Sequence, residues 1–256
     1  MLTTFSSFRL ISADLNKSIA RTSAQPLVAR EIDHYNKTIG GIKTVDDFIK
    51  NDRVFRFAMK AFGLEDMSYA KAFMKKLLVE GVESSTAMAN RLSDQRYKEF
   101  VKAFNFARYG ELTTTFAATR GGTVDRYLRQ TLEEQAGAQN EGVRLALYFQ
   151  RKAPGIKSGY AMMADSALLK VAQTVLGLPA GQASNVDNTA KLIERRIKMS
   201  DLQSPEKVQK LLQRFTAVWD ATNSAPSVPG ADALFGGAGA PGMSADLLLS
   251  LQRLRR

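Results

Sequence analysis

Apolar positions recur at helical spacing along most of this chain. From Thr44 to Phe62 they fall at Phe48, Phe55, Ala58, Met59 and Phe62, which puts them on one helical face. Thr44 offers a capping hydroxyl and Asp47 stands three residues on, a shorter version of the glutamate of a capping box. Asn51-Asp52 breaks the pattern and predicts two helices in place of one. Gly63 is the natural stop, because a left-handed backbone costs glycine little. Over 68–80, Tyr69, Phe73, Leu77 and Leu78 share a second face, with Lys71, Lys75 and Lys76 off it and Gly81 closing the helix. Further helices are predicted over 27–36, 84–92, 94–106, 125–135, 144–150, 166–176, 188–198 and 205–219. No alternating strand pattern of useful length interrupts them, so the expected fold class is all-α.

One of these patterns occurs twice. Gly41 to Leu64 returns 114 positions later as Gly155 to Leu178, without a gap and with six of 24 positions identical. Most other positions keep their character, as in Phe48/Met162, Val54/Leu168 and Arg56/Lys170. The expected architecture is therefore two similar helical subdomains, 27–108 and 125–220, related by internal duplication and packed as one globular unit. Between them 109–124 reads as a connector, since Gly110, Gly121, Gly122 and five threonines lower helix propensity. Residues 1–26 read as an N-terminal arm or peripheral helix. The stretch 221–243, with Pro226, Pro229, Pro241 and five glycines, reads as a flexible linker. It leads to a terminal amphipathic helix over 244–256 carrying Leu247, Leu248, Leu251 and Leu254 on one face.

Composition mainly removes possibilities. With 256 residues, 45% of them hydrophobic, the chain can fold without staples, and having no cysteine it forms no disulfide, thiol nucleophile or cysteine metal site. Arg9 and Asp14 interrupt what a signal peptide would need as an apolar run, so no cleavable signal is expected. No stretch approaches the roughly 18 apolar residues of a membrane span. A single histidine, His34, leaves no His-based triad or zinc site to assemble, and it is expected at the surface or half-buried. Asp46/Asp47, Glu65/Asp66 and Glu133/Glu134 read as caps or polar-face residues, and the glycine runs lack the Lys-Ser/Thr of a phosphate loop. No catalytic, cofactor-binding or metal residue is assigned, and no cofactor is expected.

The net charge of +11 favours acidic partners, although the basic residues are spread along the chain. AKAFMKKLL (70–78) and AKLIERRIK (190–198) set Lys71, Lys75 and Lys76 against Arg195, Arg196 and Lys198. Such a duplicated basic face is either the wet side of an amphipathic helix or a docking surface. These six residues, with Leu247, Leu251 and Leu254, are the candidate partner-binding positions.

The blocks DDFIKNDRVFRFAMKAFGLEDMSYAKAFMKKLLVEGV, ANRLSDQRYKEFVKAFNF, EGVRLALYFQRKAP and LLQRFTAVWD agree in order and spacing with a known family. Over about 27–220 the chain resembles an alphaproteobacterial domain of unknown function found in or near flagellar gene clusters. That resemblance implies an all-helical fold of two similar subdomains and a flagellum-linked role, and it brings no functional residues with it. The expectation is a non-enzymatic structural or assembly protein of the bacterial flagellum. It would bind a protein partner, a flagellar component, and sit in the cytoplasm or the flagellum. The rival reading is a cytoplasmic regulatory or nucleic-acid-binding protein that uses the basic surface.

Overall fold

Helix caps set the elements out along the chain. The computed structural model describes residues 2–178 and 186–223, and all regular elements among them are helical. α1 (Thr4–Ala13) and α2 (Leu15–Ser23) part at Asp14, whose carboxylate accepts from the Lys17 N–H. α3 (Pro26–Ile39) starts on a proline that suits a first helical turn. The Thr44–Asp47 capping box forms as expected at the head of α4 (Val45–Lys50). Asn51 then caps α5 (Asp52–Ala61), and Gly63 stops it at φ +70°. α6 (Lys71–Glu80), α7 (Met88–Arg91), α8 (Gln95–Ala103) and α9 (Phe106–Tyr109) complete a first lobe. The 19-residue α10 (Gly121–Gln139) leads into α11 (Glu141–Lys152), α12 (Gly159–Met163), α13 (Ser166–Leu176), α14 (Val186–Arg196) and α15 (Pro205–Asn223).

Two hydrophobic cores hold these helices in one globular fold. The first is aromatic: Phe48 stacks on Phe104 at 4.7 Å and meets Phe55 edge-on at 5.6 Å, all three fully buried. Ring pairs of this kind add about 0.5–1.5 kcal/mol beyond the area they bury. The second gathers Leu147, Phe149, Leu212 and Phe215. α10 serves both, giving Tyr127 and Leu128 to the first core and Ala136 to the second.

The two similar segments have the same secondary structure in the same register. Thr44 and Ser158 cap the short helices, Asn51 and Asp165 cap the longer ones, and Gly63 and Gly177 follow at φ +70° and +66°. Phe48 and Met162 are both fully buried, as are Ala58 and Ala172. The same offset lays α3 on α11. α3 packs on α5 as α11 packs on α13, and α4 packs on α6 as α12 packs on α14.

Four stretches differ from expectation. Residues 1–26 are not peripheral: Phe8 of α1 is fully buried in the second core. The buried Thr4 hydroxyl donates to Asp220 on α15 and accepts from Asn140 Nδ2. The segment 109–124 does connect the lobes, but as ordered turns and the first turn of α10, pinned by the buried Thr113, Thr114, Thr119 and Thr123 while most of its other residues are exposed. Thr114 donates to the Ile42 carbonyl, Arg120 Nε to the Thr114 carbonyl and Tyr35 Oη to the Thr119 carbonyl, at 2.9, 2.9 and 2.5 Å. Over 84–92 only Met88–Arg91 is helical, because Asn90 and Glu80 bond the backbone of the preceding turn and of Met88 instead. The helix expected over 125–135 extends in both directions. Gly122 lets its first turn close under the Ala117 carbonyl, and burial of Ala136 carries it through 136–139 to the Asn140 cap. The predicted linker lies outside the described residues apart from 221–223, which finish α15, and so does the predicted terminal helix with Leu247, Leu251 and Leu254.

Candidate functional site: a charged groove between the lobes

The join between the lobes is lined by ionisable side chains. Two adjoining clefts of about 450 and 470 Å³ run between α8 on one side and α11 to α13 on the other. They share Asp94, Arg96, Glu99, Lys152 and Asp165, and so form one groove.

Its arginines are engaged. Asp94 caps α8 through the Arg96 N–H at 2.9 Å and takes the same residue's guanidinium at 2.8–3.1 Å, while Arg96 Nη1 donates to the Gly63 carbonyl. Burial alone would raise the Asp94 carboxyl, but the Arg96 hydrogen bonds outweigh it and hold it below the ordinary aspartate range. Arg144 forks onto Glu141 at 2.8 and 2.5 Å, and this hydrogen-bonded charge holds Glu141 below its usual value. Arg151 forks onto Glu133 at 2.7 and 2.6 Å, and Arg129 adds a third bond to the same carboxylate at 3.0 Å. Glu133 is only 2% exposed.

Across the groove, Glu99 on α8 takes Arg126 of α10 at 3.4 Å and Lys152 of α11 at 3.2 Å, which ties the lobes together. Tyr148 donates to Asp165 at 2.5 Å, while the other Asp165 oxygen caps α13 through the N–H groups of Ala167 and Leu168. Burial first, then the Asp165 charge, pushes the Tyr148 phenol far above its usual range, so it stays a proton donor.

Every acid lining the groove is thus matched, and four lysines are left over. Among the described residues, Lys98 and Lys102 on α8, and Lys157 ahead of α12, have no carboxylate within ion-pair distance. Lys170 on α13 has none either, and its ammonium lies 5.0 Å over the Trp219 ring. The arrangement can attract and hold anions. Among the described residues no group of three or more His, Asp or Glu is placed to hold a metal.

The sequence-predicted basic residues lie elsewhere. Lys71 pairs with Asp52 at 2.8 Å, Lys75 with Asp46 at 2.5 Å and Lys76 with Glu80 at 3.9 Å. At the corresponding positions of the second similar segment Asp46 and Asp52 are replaced by Tyr160 and Ser166, so neither position offers an acid to Arg195, Arg196 or Lys198. Lys198 follows the end of α14, and all three are exposed, on the other lobe from α6. Structure does not bring the two clusters together: α6 packs against α4 and α14 against α12. The proposed match between them is imperfect, since Met74 is fully buried where Glu194 is exposed and accepts from the Gly159 N–H. His34 is half-buried on α3.

Glu133 departs from the polar-face reading, while its neighbour Glu134 pairs with Lys60 at 2.6 Å. The sequence did carry one signal for Glu133, the i, i+4 spacing to Arg129. Most of the groove had none, because its lining comes from segments as far apart as Ala61 and Lys170.

Comparison with known proteins follows the same fold. A family model described as protein of unknown function (DUF1217) matches residues 61–208. A crystal structure of a protein from Agrobacterium tumefaciens is similar at 50% sequence identity and a TM-score of 0.81, over 87% of this chain and 97% of that one. No curated protein matches.

Proposed function

The chain belongs to the DUF1217 family of proteins of unknown function, and from that premise we propose that it is a non-enzymatic structural or assembly protein of the bacterial flagellum that works by binding another protein. The observation that carries the binding role is the groove. Its arginines and acids are paired, within α8, within α11 and between α10 and α11, while Glu99 to Lys152 crosses between the lobes, which leaves a preformed surface with unspent lysines. A preformed surface spends less free energy on ordering when a partner arrives. The flagellar assignment draws on the sequence resemblance alone, and the similarity to an Agrobacterium tumefaciens protein fits the alphaproteobacterial part of that resemblance. The paired helical segments, with matching caps and matching glycine stops, support origin by duplication of a scaffold, and copies that share no catalytic residue type fit a scaffold better than a reaction centre.

A deletion strain is the test. It is expected to swim poorly and to build an incomplete basal body or hook, with rescue by the gene in trans. Normal swimming with complete basal bodies overturns the flagellar role. Fractionation with and without a working flagellar exporter then decides between cytoplasm and flagellum. The regulatory or nucleic-acid reading draws on the +11 charge, and predicts gel-shift retention of DNA or RNA that falls steeply with salt.

A further inference from the structure

We infer that the inter-lobe groove binds an extended acidic segment of a partner protein, with Lys98, Lys102, Lys157 and Lys170 as the groups that take its carboxylates. This rests on the reading of the chain as a binding scaffold.

The chemistry of what is free selects the ligand. Bidentate recognition of phosphate favours guanidinium forks, whose planar geometry matches two oxygens at once. Here the forks of Arg96, Arg144 and Arg151 are already closed on Asp94, Glu141 and Glu133. What remains are lysine ammonium groups, flexible point charges, three lining one cleft and Lys170 lining the adjoining one. They suit a chain of separate carboxylates.

Single-stranded nucleic acid would want exposed aromatic faces for its bases to stack on. The aromatic residues lining the groove are Phe62, which is buried, and Tyr148, which is half-buried with its hydroxyl held by Asp165. The exposed rings of Tyr69, Tyr109, Phe116 and Tyr160 do not line it. The chain's own remaining segments do not complement it either. Residues 179–185 carry no charge, and 224–256 hold Asp232 and Asp246 against Arg253, Arg255 and Arg256. An acidic partner is the occupant that fits.

Fluorescein-labelled octaglutamate, titrated with the full chain and followed by anisotropy, tests this. Three partnerless lysines of the groove are reversed in K98E/K102E/K157E. The equal-charge control K191E/K210E/R214E lies on α14 and α15, off the groove. Circular dichroism checks that both variants fold. Saturable binding is expected, weakened about tenfold or more by the groove variant and less than about threefold by the control. Raising salt from about 50 to 200 mM should also weaken it.

Equal weakening by both variants would overturn the inference, since net charge alone would then explain binding. So would the absence of saturable binding, tighter binding of labelled oligothymidylate, or displacement by inorganic phosphate at micromolar concentration. The two readings fail separately. If the deletion strain swims normally while octaglutamate binds through the groove, only the flagellar assignment is lost; if motility needs the protein but the peptide does not bind, only the acidic-segment inference is lost.

Discussion

Glu133 is the residue on which the groove wall depends most. Its carboxylate holds Arg129 and Arg151 together and is nearly inaccessible to solvent. Removing its charge leaves two guanidinium groups with no carboxylate partner among the described residues, Arg129 on the Leu147 carbonyl and Arg151 on the Gln130 amide and the Tyr148 ring. Glu133→Gln should therefore cost about 3–5 kcal/mol, read from the midpoint of urea unfolding. Glu141 makes a different prediction because it is partly exposed. Its carboxyl is depressed in the folded state by Arg144, so its contribution is present above the unfolded-state value and is lost as pH falls through the folded one. Stability of the wild type should drop below about pH 4.3, and Glu141→Gln should show a shallower acid limb in a series of melts. Adjacent acids at 133 and 134 looked alike in sequence. They differ because the Arg151 that buries Glu133 arrives 18 residues later, from another helix.

Among the elements, α1 shows how far packing departs from chain order. It opens the chain, yet it docks on α11 and α15 and completes the second core, while α2 packs against α10. Phe8→Ala should destabilise by about 3–5 kcal/mol, measured by chemical unfolding, because a fully buried ring leaves a cavity between three helices. A peripheral arm would tolerate that change. The spacing of Phe8, Ile11, Leu15 and Ile19 is helical, but it does not give their destination. Phe8 and Ile11 face the second core and Ile19 the first, with a break at Asp14 that periodicity passes over. Caps were far more legible: Thr44 with Asp47, Asn51, and the glycines at 63 and 177 act within three or four residues of the backbone groups they satisfy or release.

For the whole molecule, the question is whether two cores mean two folding units. α10 feeds both cores, Glu99 bridges the lobes, and α1 and α2 straddle them, so unfolding should be one cooperative event. The only tryptophan, Trp219, reports the second core, whereas far-UV circular dichroism reports all helices. The two transitions should coincide in urea, and a tryptophan transition at clearly lower urea would mean that the second lobe unfolds alone. The sequence by itself determined the helical class, most helix starts and stops, the paired segments in equal register and the lack of familiar catalytic motifs. These depend on residues a few positions apart, within the reach of a helical turn or a cap. Only the tertiary structure decided that α1 belongs to the second core, that buried threonines pin 109–124, that Glu133 is buried, and that four of the lysines left without acids line the inter-lobe groove. Those outcomes depend on which distant faces meet and which charges find partners across them, and spacing along one chain does not encode that.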